Sequence, residues 1–206
     1  MGNEERLVTR TSTPLSVAEL RQVMQADLQA HGLSRWLPHY RLSRVELSYQ
    51  RSLRVTEFLL SRGGLVRNTL GVLARIRLKR RSVRTGVSLP PGVAAAGLSI
   101  AHVGSTVVND NARIGRFCRL HTSVNIGTYQ GKAPVIGDFV YIAPGAVIYG
   151  GVSIGDRAVV GSNAVVNADV PAGVTVAGSP AKIISGNDSR SVMPEWIRML
   201  MDRETG

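Results

Sequence analysis

The chain has 206 residues, of which 44% are hydrophobic, and this composition excludes an intrinsically disordered protein. A single cysteine, Cys118, excludes an intramolecular disulfide framework and a cysteine-rich zinc site. No apolar run approaches the ~18–20 residues of a membrane span, so we expect a cytoplasmic protein.

The net charge of +11 is concentrated in the first part of the chain. Residues 1–86 hold 16 Lys and Arg against 6 Asp and Glu, whereas residues 87–206 hold 9 against 8. Such a basic segment attracts polyanions. For residues 62–84 the alternatives are a solvated helix face and a contact with an anionic membrane surface, which would place the protein peripherally at the inner face. We expect no nucleic acid, because neither base-stacking aromatics nor a recognised motif accompanies the charges.

The first part of the chain carries helix signals. Ser16 with Glu19 three residues later forms a capping box, and the helix that it opens should end at Gly32. A second helix is expected from about Ser43 to the glycine pair at residues 63–64. A third helix follows, and its apolar residues recur on one face: Val66, Leu70, Leu73 and Ile76.

From Val87 the hydrophobic period changes to six residues. An aliphatic residue recurs at every sixth position, and a small or β-branched residue follows four positions later. This period suits neither a helix nor a hairpin and is typical of a hexapeptide-repeat parallel β-helix, in which neighbouring coils bury a continuous core. Cys118 occupies one of the core positions for a small residue. The recurring aliphatic residues are Val108, Ile114, Leu120, Ile126, Ile136, Ile142, Ile148, Ile154, Val160 and Val166.

The sequence therefore predicts a mainly β protein with helical additions at both ends. A short C-terminal helix is expected from about Pro194 to Arg203, with Trp196, Met199 and Leu200 on one side, as a lid on the β-helix or on a neighbouring subunit. The expected divisions are residues 1–85 as a basic α-helical region, 86–185 as the hexapeptide-repeat catalytic domain and 186–206 as a C-terminal tail.

The repeat is interrupted twice. The step from Ile126 to Ile136 is ten residues, so a loop of about Thr128 to Ala133 should leave the β-helix. The step from Ile100 to Val108 is eight residues, and the extra residues push His102 out of the inward register.

Counting three hexads per coil brings the two histidines of the repeat together. Ile100, Leu120, Ile142 and Val160 then lie in one column, so His102 lies beside His121 on the next coil, about one strand spacing (~4.8 Å) away. Neutral imidazole is well suited to accept a proton near pH 7, and we predict a catalytic pair. Candidates to contact the acceptor are Asp110, the nearest carboxylate in sequence, and the loop residues Tyr129 and Gln130.

Three segments resemble the hexapeptide-repeat acyltransferases, whose fold is a left-handed parallel β-helix. They are GLSIAHVGSTVVNDNARIGRFCRLHTSVNIG at 97–127, APVIGDFVYIAPGAVIYGGVSIGD at 133–156 and VPAGVTVAGSPAKII at 170–184. The resemblance covers about residues 86–185 and is to the serine acetyltransferase-like branch, which includes capsular and exopolysaccharide O-acetyltransferases.

The resemblance implies an acetyl-CoA-dependent O-acetyltransferase that needs no metal. His102 would be the general base for an acceptor hydroxyl, which attacks the thioester directly without an acyl-enzyme. The resemblance also implies a homotrimer with active sites between subunits. Positions that match coenzyme A contacts are Gly127, Ala143, Pro144, Gly161, Ser162 and Lys182.

Departures from the serine acetyltransferase pattern bear on the acceptor. That pattern has Asp before the first histidine and an Arg-His pair after the loop, where this chain has Ala101 and Lys132-Ala133. A zwitterion without charged partners binds poorly because its desolvation is uncompensated. His121 is what the polysaccharide-modifying relatives often show. We therefore predict a sugar hydroxyl of a surface polysaccharide or its precursor as acceptor, with serine as the alternative.

Two other classes of protein stay open. A β-helix metalloenzyme of the γ-carbonic anhydrase kind needs three histidine ligands, and the repeat holds only His102 and His121. A non-catalytic trimeric scaffold would not need paired histidines at a register break.

Overall fold

A computed structural model describes residues 16–205, apart from the side chains of Val66 and Thr205. A helical region is followed by a parallel β-helix and a C-terminal helix. In the part described, no helix is both long enough and apolar enough to cross a membrane. The helices are α1 Val17–Gln29, α2 Tyr40–Ser43, α3 Val45–Ser61, α4 Gly64–Val66, a π-helical segment Arg67–Gly71, α5 Val72–Thr85 and α6 Glu195–Thr205, with a 3-10 turn at Ser189–Ser191.

The first helix begins where its sequence predicts and ends at Gln29, three residues before the predicted Gly32. The Ser16 hydroxyl accepts a hydrogen bond from the Glu19 amide (3.1 Å), and the Glu19 carboxylate accepts one from the Ser16 amide (2.6 Å). This capping box satisfies two amides that the helix leaves unpaired. The chain reverses at Gly32, where φ is +72°, a value that glycine adopts at little cost. The second predicted helix is confirmed as α3.

The β-helix has three faces, each a sheet of stacked strands. The first face contains β1, β3, β6, β9 and β12, the second β4, β7 and β10, and the third β2, β5, β8, β11, β13 and β14. All neighbours are parallel except β13 and β14. The strands are β1 Val87–Ser88, β2 Ser99–Ile100, β3 Thr106–Val108, β4 Arg113–Ile114, β5 Arg119–Leu120, β6 Asn125–Gly127, β7 Val135–Ile136, β8 Tyr141–Ile142, β9 Val147–Tyr149, β10 Ser153–Ile154, β11 Val159–Val160, β12 Val165–Val166, β13 Thr175–Ala177 and β14 Lys182–Ser185.

The predicted core column is confirmed. Ile100 pairs with Leu120, Leu120 with Ile142, and Ile142 with Val160. All four side chains are fully buried. Cys118 is also fully buried, and burial raises the pKa of its thiol, so it behaves as a small core hydrophobe. The six-residue period therefore specifies both the fold and its register.

Buried polar side chains attach the helical region to the first coil. The Asp27 carboxylate of α1 accepts hydrogen bonds from the amides of Gly97 (2.9 Å) and Leu98 (3.1 Å). Arg54 of α3 forms an ion pair with Asp27 (2.8 Å) and donates to the carbonyls of residues 94 and 95. Helices α1 and α3 therefore satisfy backbone groups at the open end of the β-helix.

The third predicted helix is present, but its apolar face is exposed. Leu70, Leu73 and Ile76 are 50%, 61% and 47% exposed, and the side chain of Val66 lies outside the part described. On α5 it is Leu78 that is buried. The outward direction of the apolar face therefore depends on how α5 packs against α3, which the helical period does not specify.

The C-terminal helix packs partly through predicted residues, since Leu200 and Trp196 make contacts, and partly through Ile197 and Met201. Ile197 and Met201 are buried against Phe139, whereas Met199 is 53% exposed. Trp196 packs on Gly32 instead, and its indole nitrogen donates to the Ala30 carbonyl (3.0 Å). Helix α6 therefore joins α1 to the outside of the β-helix.

Candidate functional site

The two histidines of the repeat lie together, as their register predicts. His102 follows β2 and His121 follows β5, at the corner where the chain passes from the third face to the first. We call this the histidine corner; its residues are 101–105, 121–124, 143–146 and 161–164. The ring centroids of His102 and His121 are 5.9 Å apart. His102 is exposed and His121 is half-buried.

The insertion that carries His102 is held by two neighbours. The amide of Gly104 donates to the Thr85 carbonyl at the end of α5 (2.8 Å). A Cβ at Gly86 would lie 2.8 Å from the Gly104 backbone, so only glycine allows this approach. Gly104 also packs on Thr122 of the next coil. The helical region therefore helps to position the predicted general base.

His121 lies in an environment that keeps its ring neutral. Burial, the charge of Arg119 and the neighbouring His102 lower the pKa of His121 to about 4. Its Nε2 is buried and has no hydrogen-bond partner within residues 16–205. A buried polar atom left unpaired costs about 1–3 kcal/mol, so a partner that reached this nitrogen after a turn of the ring would remove that cost.

Sequence reasoning missed two neighbours of His121. The Tyr141 ring lies 5.0 Å from the His121 ring, centroid to centroid. Arg119 donates to the Ser99 hydroxyl (2.7 Å) and its charge acts on the His121 ring. The register pairs Ser99 with Arg119 and Arg119 with Tyr141. Extending the predicted inward column to the adjacent outward column would have found both residues.

Small residues continue the histidine corner along the β-helix. Ala143 and Gly161 follow His121 on successive coils, and Ala177 comes next. A Cβ at Gly161 would lie 3.0 Å from the Ala177 Cβ, so a side chain there would crowd the corner. Pro144 and Ser162 are exposed beside this column, and the exposed Lys182 pairs with Ala177. The column therefore carries no large side chain beyond His121.

The other predicted contact residues lie at a different corner. Asp110 follows β3, Gly127 ends β6, and Tyr129 and Gln130 lie in the next loop, all where the chain passes from the first face to the second. We call this the loop corner; its residues are 109–112, 127–134 and 150–152. The loop is a short turn closed by pairing of Tyr129 with Lys132. Within one chain the full width of the first face separates these residues from His102.

The part of the chain that is described contains no group of three or more His, Cys, Asp and Glu side chains that could hold a metal ion. Within residues 16–205, His102 and His121 therefore have no third ligand beside them. Their immediate neighbours are the tyrosine and the arginine described above, which suit hydrogen bonding better than metal ligation.

Comparison with known proteins identifies relatives in one group. Residues 133–168 match the family model described as bacterial transferase hexapeptide (six repeats). The chain is 31% identical over 154 residues to a serine acetyltransferase of Synechococcus elongatus, covering 68% of this chain and 63% of the relative. It is 35% identical over 106 residues to a serine acetyltransferase of Helicobacter pylori, covering 49% and 62%. The chain thus spans a little under two thirds of the length of these curated relatives.

These relatives correct the acceptor prediction. The chain was expected to be closest to capsular and exopolysaccharide O-acetyltransferases, but its relatives carry the name serine acetyltransferase, so the predicted sugar acceptor is wrong. Of the departures from the serine acetyltransferase pattern, only Ala101 lies beside His102 within one chain. Lys132 and Ala133 lie at the loop corner, so they meet a histidine only across subunits.

A solved structure extends the match across most of the fold. The soybean serine acetyltransferase apoenzyme superposes with a TM-score of 0.65 at 30% sequence identity, covering 80% of this chain and 69% of the soybean chain. The match includes the helical region as well as the repeat, because the repeat alone is about half of the chain. With the hexapeptide repeat, the register of the histidine corner and this coverage, the chain belongs to the serine acetyltransferase family of hexapeptide-repeat transferases.

Proposed function

We propose that this protein transfers the acetyl group of acetyl-CoA to the hydroxyl of serine, with His102 as the general base. One observation carries the proposal: a solvent-accessible histidine stands beside a neutral, half-buried one at the head of a column of small residues. The family supports the reaction type and the names of the relatives support the acceptor.

His102 acts on the acceptor hydroxyl. Its neutral ring takes the hydroxyl proton as the oxygen attacks, and the same ring returns that proton to the departing sulfur. Acetyl-CoA supplies a thioester whose acetyl carbon accepts the oxygen and whose thiol leaves. Transfer is direct, so no side chain of the protein is acetylated. The insertion at residues 102–105 holds the base through Gly86 and Thr122.

His121 positions the reacting groups through hydrogen bonds. With its pKa lowered to about 4, the ring is neutral at pH 7 and carries one donor and one acceptor nitrogen. The unpaired Nε2 is covered in the single chain, and it meets the acceptor or the acetyl oxygen once the ring turns toward the corner. Because the His121 ring resists protonation, it does not take up the proton that His102 removes from the acceptor hydroxyl. The two histidines therefore have distinct roles.

Ala143, Gly161 and Lys182 would hold the coenzyme. Ala143 and Gly161 have no bulky side chains, so they leave room along the corner for the extended arm of the coenzyme. The exposed ammonium of Lys182 suits the phosphates of the coenzyme. Pro144 and Ser162 border the same column. Gly127, Asp110, Tyr129 and Gln130 reach the site only from the loop corner of a neighbouring subunit.

That arrangement requires a trimer with sites shared between subunits. Val103 and Val107 are 43% and 46% exposed next to His102, and exposed apolar side chains beside a site favour burial by another subunit. A cyclic trimer packed through the faces of the β-helix would bring loop-corner residues toward a histidine corner.

The serine carboxylate needs a cation, and Arg119 is the candidate. It lies two residues before His121, and its charge already acts on the His121 ring. A carboxylate is desolvated on binding, and a guanidinium offsets that cost through charge-assisted hydrogen bonds. This contact replaces the charged residues that the serine acetyltransferase pattern has where this chain has Ala101 and Lys132-Ala133.

The test is release of free thiol from acetyl-CoA in the presence of L-serine. His102→Ala should lower kcat by about 10²–10⁴-fold, because general base catalysis contributes about that much. Arg119→Met should raise the KM for serine at least about tenfold and change the KM for acetyl-CoA less than about twofold. His39→Ala, which removes an exposed histidine of the helical region, is the matched control.

Two outcomes would contradict the proposal in different ways. Saturable acetyl-CoA binding without turnover of serine would overturn serine as the acceptor while supporting acetyl-CoA as the donor. Absence of acetyl-CoA binding by calorimetry would overturn the reaction class.

A further inference from the structure

A cleft between the helices, separate from the histidine corner, is lined by four arginines. Arg41 of α2, Arg51 of α3, and Arg77 and Arg81 of α5 line a cavity of about 250 Å³. Trp36, Ser48, Ser52, Val55, Thr56 and Ala74 complete its wall. We call it the arginine cleft. No acidic side chain of residues 16–205 lines it.

The four positive charges of the cleft are not neutralised by the residues described. Every ion pair found within residues 16–205 involves other arginines. The charges instead act on one another: burial and the charge of Arg41 lower the pKa of Arg51, and burial, Arg77 and Arg41 lower that of Arg81. Like charges held together without a counterion favour an anion between them.

Two of the arginines are held in place, and two are free to move toward a ligand. Arg81 donates to the Ser48 carbonyl (2.7 Å), and the Arg51 guanidinium lies 4.9 Å from the centre of the Trp36 ring. The guanidiniums of Arg41 and Arg77 make no hydrogen bond or ion pair with the part of the chain that is described, and both are exposed. The cleft thus combines two guanidinium groups that are held in place with two that can turn toward a ligand.

Size and chemistry select the ligand class. A cavity of about 250 Å³ lies below the ~300–1,000 Å³ typical of sites for drug-sized ligands. A guanidinium group binds carboxylate or phosphate oxygens through two parallel hydrogen bonds. A single carboxylate has only two oxygens and can pair in this way with one guanidinium, whereas a phosphate-bearing anion has oxygens for several. The ligand is therefore small and carries more than one negative charge.

We propose that the arginine cleft is a binding site for a small soluble phosphate-bearing anion, such as a diphosphate or an organic phosphate. Arg77 and Arg81 belong to the basic segment 62–84, considered from sequence as a contact for an anionic membrane surface. In the structure these two arginines line the cleft together with Arg41 and Arg51, so they do not serve only as part of the outer surface.

Calorimetric titration of the full chain with inorganic pyrophosphate at about 0.1 M salt tests the site. Saturable binding at one site per chain is expected. Arg41→Gln and Arg77→Gln should each weaken it at least about tenfold, since a charge-assisted hydrogen bond contributes about that factor or more. Ala74→Leu, which fills the cleft without changing its charge, should abolish binding in a protein whose circular dichroism matches the wild type.

Arg80→Gln is the matched control, because it removes one positive charge from the same helix outside the cleft. Binding weakened less than about twofold in this variant is the result expected. Absence of saturable pyrophosphate binding, or an equal loss in Arg80→Gln and Arg77→Gln, would overturn the proposal. Vesicles of phosphatidic acid in neutral lipid form a second arm. Binding to these vesicles without binding of pyrophosphate would assign the phosphate to a lipid surface and overturn the soluble ligand.

Discussion

The β-helix and the helical region are stabilised in different ways. In the β-helix one type of contact recurs, because each coil places an aliphatic side chain directly on that of the next, as Leu120 does on Ile142. The helical region adds individual polar contacts to its share of that core: Asp27, Gln50, Arg54 and Tyr49 make buried hydrogen bonds to the backbone of residues 89–98.

This difference indicates where the protein is most sensitive to change. A repeated core distributes its stability over many equivalent layers, whereas an attachment through a buried ion pair has no substitute if one partner is lost. The predicted base lies at the junction of the two regions, since Gly104 packs against Gly86 at the end of α5. Function therefore depends on both kinds of stabilisation.

Arg54→Met should have the largest effect on stability. Arg54 is 2% exposed, and its loss leaves the Asp27 carboxylate buried without its cation. Removing one partner of a buried pair costs about 3–5 kcal/mol. Urea unfolding measures the loss, and hydrogen exchange should show faster opening of α1 and α3 than of the β-helix.

Arg190→Met is the control for Arg54→Met, because the Arg190–Asp202 pair is about half exposed on both sides. Exposed pairs contribute about 0–1 kcal/mol. Equal loosening of both regions in Arg54→Met would show that they unfold as one unit and are not stabilised separately.

Ile142→Ala should have the next largest effect. Ile142 is fully buried between Leu120 and Val160, and truncation there leaves a cavity that rigid coils cannot close. The expected loss in unfolding free energy is about 3 kcal/mol, within the ~2–5 kcal/mol of such truncations. Ile183→Ala, at a position 57% exposed, should cost less than about 1 kcal/mol. Similar losses in the two variants would contradict the layered core.

Acidification should destabilise the helical region by a smaller amount. Burial lowers the pKa of His31 to about 4 from its usual 6.5, and its ring hydrogen-bonds Gln50 at 2.8 Å. The folded state favours the neutral ring, whereas the unfolded chain takes up a proton below pH 6.5. The stability contributed by this group is therefore complete above pH 6.5 and is lost as the pH falls toward 4.

Between pH 7 and pH 5 the loss from His31 should be about 2 kcal/mol. Urea unfolding at both pH values measures it, and His31→Gln should lose that much less on acidification. Titration of the His31 ring by NMR gives an independent check, and a midpoint above pH 6 would contradict the expected burial.

Local sequence signals predicted much of the helical region, but not how its faces are used. The Ser16–Glu19 capping box is a contact within four residues, so it needs no tertiary information. The exposure of Leu73 on α5 depends on which side of the helix meets α3, and helical periodicity is the same for either side. The arginine cleft likewise brings Arg77 and Arg81 of α5 to residues of α2 and α3 that lie much earlier in the sequence.

The six-residue period was sufficient to place His102 beside His121, because a solenoid converts sequence spacing directly into stacking between coils. Assignment of residues to corners required the folded chain. Asp110 and Tyr129 are near the histidines in sequence, yet they lie at the far edge of the first face. Distances around a coil depend on where the chain turns, whereas distances between coils depend only on the repeat.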